Sequence, residues 1–335
     1  MFHLGPTTNR YTIECSLRTL SKNNVDISKK KHNGPIYSIK FSNGNGQYCM
    51  SAGGDKIIKL FNPFKSFFVL KEYKGHGYEV FDLDISTDNN FFVSASGDKS
   101  VFLWDISTGE VKRRFKEHKG KVNCVKYSNN NEVVISGSYD RTMKVWDMRS
   151  GSFKSIQTMN DFQDSVSSIA CSDTSILAGC VDGTVHNYDI RMGKLKLDHM
   201  GTKSIGHVSF THDFLCYLCS SLESTISMVE VSTGNILRVF KGHQNEKYQI
   251  KHTLSSNDKY LFSGDERGKI FRWDLSTESC EEIVDPQAHA TVSTINTTTT
   301  IDEIISIDYH PVDNYFITGS VNAEIALWRE SSSIN

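Results

Sequence analysis

Residues 75–105 read GHGYEVFDLDISTDNNFFVSASGDKSVFLWD. The stretch opens on Gly75-His76 and closes on Trp104-Asp105, with 28 residues from His to Trp. The same frame returns at once as Glu117-His118 and Trp146-Asp147, again 28 residues apart, and later as Gly242-His243 and Trp273-Asp274, 30 apart. Within the second copy, Val122–Tyr127, 132–136 and 142–146 alternate like short strands, and 153–157 reads as an outer fourth. Asn129-Asn130-Asn131 and Ser138-Tyr139-Asp140-Arg141 supply turn chemistry between them.

A Gly-His to Trp-Asp unit of about 42 residues, made of four short strands, is the sequence mark of a β-propeller blade. Aligned on the Trp position, the chain runs Phe61, Trp104, Trp146, Tyr188, Val229, Trp273 and Trp328, with spacings of 43, 42, 42, 41, 44 and 55. Seven occurrences predict an all-β fold, a seven-bladed propeller over 32–330. The long last spacing places a Thr-rich surface insertion at 290–300. Residues 1–31 form an N-terminal extension, and 331–335 and the first ten residues read as disordered. Within the extension, 12–17 and 25–28 both alternate like strands. One of them is expected to be the outer strand of the last blade, closing the ring and removing its open edge. Lys29-Lys30-Lys31 reads as a solvated strand end.

Bulk composition agrees. The 335 residues are 38% apolar and 23% charged, with a net charge of −2, which offers no global attraction to nucleic acid or membrane. No stretch reaches the roughly 20 apolar residues of a membrane span, and no secretory signal is visible at the start. Eight cysteines are scattered through strand segments, which points to a reducing compartment, nucleus and cytoplasm. Cys216-Tyr217-Leu218-Cys219 lacks a second pair for zinc, and its two thiols belong on opposite faces of a strand, so the pair reads as structural.

Each regular blade carries a His, a Ser, an Asp and a Trp: His76, Ser94, Asp98 and Trp104, then His118, Ser136, Asp140 and Trp146. The set imitates a hydrolytic triad. Recurrence argues otherwise, since an active site is built once. The spacing puts the groups on neighbouring strands and turns, where Trp N–H to Ser, Ser to His and His to Asp satisfy one another. Other blades depart: Asp182 stays but Tyr188 replaces Trp, Glu223 and Val229 stand in blade five, Arg267 takes the Asp position in blade six and Asn322 in blade seven. Those blades are expected to hold their turns less tightly. No phosphate loop, His-Glu-x-x-His or Gly-x-Ser-x-Gly is present, and no cluster of acids or histidines marks a channel mouth, so the sequence predicts a non-enzyme without metal or cofactor.

Charge is uneven. Residues 110–151 hold ten Lys/Arg against five Asp/Glu, and 265–330 hold four against thirteen. Aromatic residues are sparse in the basic stretch, which speaks against direct RNA binding.

On these repeats the chain resembles the WD-repeat family over roughly 32–330. Details go further. Gly75-His76-Gly77-Tyr78-Glu79-Val80, the run from Val166-Ser167-Ser168 through Tyr188-Asp189-Ile190-Arg191-Met192-Gly193, Ser220-Ser221-Leu222-Glu223-Ser224-Thr225, and Lys241-Gly242-His243-Gln244-Asn245-Glu246-Lys247-Tyr248 resemble the branch of mitogen-activated protein kinase organisers. That resemblance implies a non-catalytic scaffold, monomeric within larger complexes, whose partners are MAP-kinase cascade members or spliceosomal proteins. A second reading rests on Arg149 and Arg191: Asp-x-Arg after the Trp position resembles the motif by which propeller receptors dock on the cullin-4 ligase adaptor. Entries to first strands and turns between second and third strands crowd one face of a propeller. Pro35, Tyr78, Glu79, Lys121, Tyr139 and Tyr248 fall there, and exposed aromatics with long charged side chains make good interface anchors.

Overall fold

The computed structural model describes residues 11–16, 32–65, 67–283 and 302–330. Among the described residues the strands form seven four-stranded antiparallel sheets. In chain order the blades span 36–74, 80–115, 122–159, 166–199, 205–241, 252–283 and 304–330. The innermost strands, Ile36–Phe41, Val80–Ile85, Val122–Tyr127, Val166–Cys171, Ile205–Phe210, His252–Leu254 and Ile304–Tyr309, contact one another in a closed circle.

The alternation that writes these strands is buried on both sides, because each blade packs one face on the preceding blade and one on the next. Val93, Leu103 and Phe115 of blade two share a core with Val122, Val125 and Trp146 of blade three. Trp146 is fully buried with its ring centroid 4.9 Å from that of Phe115. The tryptophans that set the period are therefore inter-blade wedges, and truncation of one to Ala would cost about 3–5 kcal/mol.

A second periodicity lies in the backbone. The turn between second and third strands takes one left-handed residue in every blade: Lys56, Lys99, Arg141, Gly183, Ser224, Gly268 and Ala323. Five of the seven are not glycine, so the hairpin geometry imposes the conformation whatever the side chain.

The last blade takes its outer strand from the start of the chain. Tyr11–Ser16 pairs antiparallel with Ile325–Glu330, Ile13 opposite Trp328. Of the two candidate segments, the first closes the ring, shifted by one residue; 25–28 lies outside the described residues, as do 1–10, Lys29-Lys30-Lys31, 290–300 and 331–335.

Blade three corrects its expected outline. Its second to fourth strands are Val133–Ser138, Met143–Asp147 and Gln157–Met159. The outer strand starts four residues later than expected. Residues 152–156 are irregular, with the Ser155 amide and hydroxyl donating to Glu117 Oε2 at 3.1 and 2.6 Å, and Phe153 and Ile156 stand exposed. Apolar side chains on the rim carry no burial constraint, so their alternation misled.

Candidate protein-interaction face

The four-residue sets come first, because they hold the face in place. In blade two Trp104 Nε1 donates to Ser94 Oγ at 2.8 Å, Ser94 Oγ lies 2.7 Å from His76 Nε2, and His76 Nδ1 lies 2.8 Å from Asp98 Oδ2. Blade three repeats this with Trp146, Ser136, His118 and Asp140 at 2.9, 2.8 and 3.0 Å. Indole N–H can only donate, so the serine accepts there and gives its own proton to Nε2. That assigns the remaining imidazole proton to Nδ1, facing the carboxylate. Ser94 and Ser136 are fully buried, with no route to a substrate.

Asp98 also accepts the Gly77 amide at 3.0 Å, and Asp140 the Lys119 amide at 2.7 Å. These amides belong to the loops that enter the first strands. Burial pushes the Asp98 carboxyl up, but hydrogen bonds from His76 and Ser100 outweigh it and bring it to about 2. Asp140 is likewise held low, burial being overcome by His118 and Thr142.

Blade one holds a third such set that the sequence reading missed. His32 Nε2 lies 2.7 Å from Ser51 Oγ, and Nδ1 lies 2.9 Å from Asp55. Phe61 fills the Trp position, which hid the set, although the interval from His32 to Phe61 is 29 residues.

The divergent blades differ: in blade four Asp182 Oδ1 accepts the Thr184 amide and hydroxyl of its own turn at 2.9 and 2.6 Å while its buried Oδ2 finds no partner among the described residues, as expected of a looser blade, but the others stay tied. Glu223 accepts the Thr202 and Lys203 amides at 3.1 and 3.3 Å, and Glu266 accepts those of Glu246, Lys247 and Tyr248 at 2.7, 2.5 and 3.1 Å. Asn322 bonds Asp302, and Trp328 Nε1 donates to Thr318 Oγ1 at 3.0 Å. In blades five and six a glutamate still takes the entry-loop amides, and in blade seven the Asn322 amide donates to the entry loop's own Asp302. Blade six does lose its histidine link. His243 is buried, finds no hydrogen-bond partner among the described residues, and is drawn down to about 4 by burial.

On the face so held, Tyr78 and Tyr139 are 64% and 60% exposed. Lys121, Tyr139 and Tyr248 line the mouth of the central channel, while Glu79 stands exposed and Pro35 half-buried nearby. Lys121 Nζ sits 5.4 Å from the Tyr139 ring centre and 5.5 Å from that of Phe81, and Lys56 Nζ sits 5.6 Å from that of Tyr78. Tyr37 and Phe81 pack at 5.2 Å. Burial, then Glu79 and Tyr248, push the Tyr37 phenol up, so it remains a hydroxyl donor. Tyr37, Phe81 and Lys56 were missed from sequence. The first two occupy the second position of an inner strand, where the register shifts between Ile36 and Ser38 and between Val80 and Asp82. Such a bulge re-aims a side chain that strict alternation would assign elsewhere.

The channel below, about 920 Å³, is charged but balanced. Lys251 lies 2.5 Å from Asp82, Lys126 3.3 Å from Asp84, and Lys40 3.7 Å from Asp308. Each acid also accepts a backbone amide from blade three or blade one: Val125 at 3.1 Å, Tyr127 at 2.9 Å and Phe41 at 2.8 Å. His207 and His252 pack at 4.5 Å, and burial draws His252 down to about 3 and His207 well below its ordinary value. These groups knit inner strands together. Among the described residues no three His, Cys, Asp or Glu are placed to hold a metal. Cys216 and Cys219 pair with Glu230 and Ser227 across the strand ladder as separate free thiols.

Arg149 and Arg191 follow the third strands and so emerge on the opposite face. Arg149 pairs with Glu132 at 3.2 Å and Asp147 at 3.5 Å, both acids of its own turn region, while Arg191 is exposed.

The repeats have counterparts in known proteins. The description "WD domain, G-beta repeat" matches residues 26–62, 67–105, 109–147 and 234–274, units whose third strands carry Phe61, Trp104, Trp146 and Trp273. The chain is 39% identical over 299 residues to WD repeat domain-containing protein 83 of Homo sapiens, covering 89% of this chain and 90% of that protein. The chain belongs to the WD-repeat family. Within it, the same protein of Danio rerio is 39% identical over 88% of both chains, and the Dictyostelium discoideum homolog 29% over 90% and 96%. The similarity to these proteins thus covers far more of the chain than the four matched repeat units.

Proposed function

We propose that this WD-repeat propeller is a non-catalytic protein-interaction scaffold that serves pre-mRNA splicing, MAP-kinase signalling or both, in nucleus and cytoplasm. The observation that carries it is the exposed run of tyrosines and lysines across blades one to three, fixed by buried tetrads and their acids. Rigid aromatic anchors on a stiff disc suit capture of protein partners. The branch resemblance and the similarity to WD repeat domain-containing protein 83 support the choice of partners. Among the described residues no helix is long and apolar enough to cross a membrane.

The test is affinity capture of the tagged full chain from its own cells at moderate salt, read by mass spectrometry. Spliceosomal proteins or MAP-kinase cascade members are expected. Recovery of neither, or stoichiometric substrate turnover by the pure protein, overturns the reading. Arg149 and Arg191, both exposed after third strands, keep the cullin-4 receptor as a second reading. It requires adaptor recovery that is lost in the Arg149→Ala, Arg191→Ala double variant.

A further inference from the structure

The array on the interaction face spans three blades. Lys56 of blade one covers Tyr78 of blade two. Tyr78 and Phe81 flank Gly97, where an added methyl would come within 3.3 Å of Tyr78 Cβ and 3.4 Å of a Phe81 ring carbon. Phe81 in turn meets Lys121 of blade three, and Lys121 meets Tyr139. Two lysines and three rings thus follow one another across three blades, with Gly97 between Tyr78 and Phe81.

The exposed side chains of this sector are mostly basic, while its acids keep their charge but sit half-buried, Glu79 apart. In its loops Lys56, Lys99, Lys116, Lys119, Lys121 and Arg141 are exposed. The acids beside them are committed. Asp55, Asp98 and Asp140 take histidine and loop amides, and Glu117 takes Ser155 and, at 3.8 Å, Lys144. Glu79 is the exposed carboxylate left in these loops.

Two kinds of polyanion could answer a basic, aromatic surface, and the ring geometry chooses between them. A nucleic-acid base needs a free aromatic face on which to stack. Here Tyr78, Phe81 and Tyr139 each have one ring face taken by a lysine, with which a base would have to compete. An ammonium held on a ring keeps N–H donors to offer, and a carboxylate can take them. We propose that the sector of blades one to three centred on Lys56, Tyr78, Lys121 and Tyr139 docks an acidic linear segment of a protein partner, its Asp and Glu side chains received by the ring-seated lysines. This rests on the scaffold reading and narrows it to one chemistry of partner.

The experiment pans a random dodecapeptide library displayed on phage against the full chain and against its Lys56→Glu, Lys121→Glu variant. Wild type should return Asp/Glu-enriched sequences and the variant should lose the enrichment. A selected peptide, labelled with fluorescein, should bind the variant at least tenfold more weakly and lose affinity with rising salt. Lys194→Glu, in blade four, should leave binding unchanged, and equal melting temperatures establish that all three proteins are folded. No acid enrichment, or equal binding by the reversal variant, overturns the inference. So does a fifteen-nucleotide oligouridine that binds tenfold more tightly than any selected peptide, which would hand the sector to single-stranded RNA. If the reversal variant still captures the native complexes, the scaffold stands and this inference falls. If wild type captures none, the scaffold reading itself falls.

Discussion

Lys251 of blade six and Asp82 of blade two meet across the channel, ammonium to carboxylate at 2.5 Å. Ser38 of blade one joins them, accepting from Lys251 at 2.8 Å and donating to Asp82 at 2.9 Å. Blades that are not neighbours in the ring are thereby tied directly. Burial pushes the Asp82 carboxyl up, and Lys251 and Lys126 more than offset it, leaving the group below its ordinary value.

Removing one partner should cost more than removing both. Lys251→Met leaves a buried carboxylate with neutral donors and is expected to destabilise by about 1–3 kcal/mol, between exposed and buried pairs. Lys251→Met with Asp82→Leu should recover most of that loss. Urea denaturation of the double-mutant cycle measures the coupling, and additive losses would show the pair to be unlinked.

Ser94→Ala should leave the Trp104 indole N–H and His76 Nε2 without their shared partner, at a cost of about 1–3 kcal/mol. The melting temperature should fall by several degrees. A change below one degree would mean that the tetrad is ornamental to stability.

Acid should act through the same set. The Asp98 carboxyl titrates near 2 in the folded protein, below its ordinary value. The native state therefore binds fewer protons than the unfolded chain. Its contribution, about 2 kcal/mol, is fully present above roughly pH 4 and is lost as pH falls toward 2. Asp98→Asn should flatten that part of the acid limb in denaturation measured from pH 2 to 6. An unchanged limb would place the acid sensitivity elsewhere.

Tyr78→Ala with Tyr139→Ala should weaken partner capture about fivefold to tenfold while moving the melting temperature by no more than about one degree, since both rings are mostly exposed. A large thermal loss would make them packing residues.

Deleting residues 1–16 should strip the outer strand from the last blade and bare the edge of Ile325–Glu330. The expected result is a melting temperature lower by at least about 5 °C and association detectable by size-exclusion chromatography.

The blade count was legible because Trp104, Trp146 and Trp273 sit where blades wedge together, and packing there admits little else. The blade-one set was not, because Phe61 keeps the wedge but lacks the indole donor that advertises the network. The outer strand of blade three escaped because Phe153 and Ile156 are apolar yet exposed, so pattern and burial disagree. The face was legible as far as turns and loop ends reveal it, hence Tyr78, Lys121 and Tyr139. Tyr37 and Phe81 required the bulges. The channel was the least readable part: Lys251 and Asp82 are 169 residues apart, and Phe41 and Asp308 267, separations that no local pattern encodes.

The strand at 11–16 has a temporal meaning as well. Its partner begins at Ile325, some 310 residues further along the chain. At typical synthesis rates that is a wait of roughly 15–60 s, during which the earliest strand has no native neighbour while six blades assemble ahead of it. Ring closure is thus a late, long-range event, and the waiting segment is open to pairing with another molecule's unfinished last blade. Crowded translation would then trade strands between copies, and the yield of correctly closed rings should depend on how thinly nascent chains are spaced.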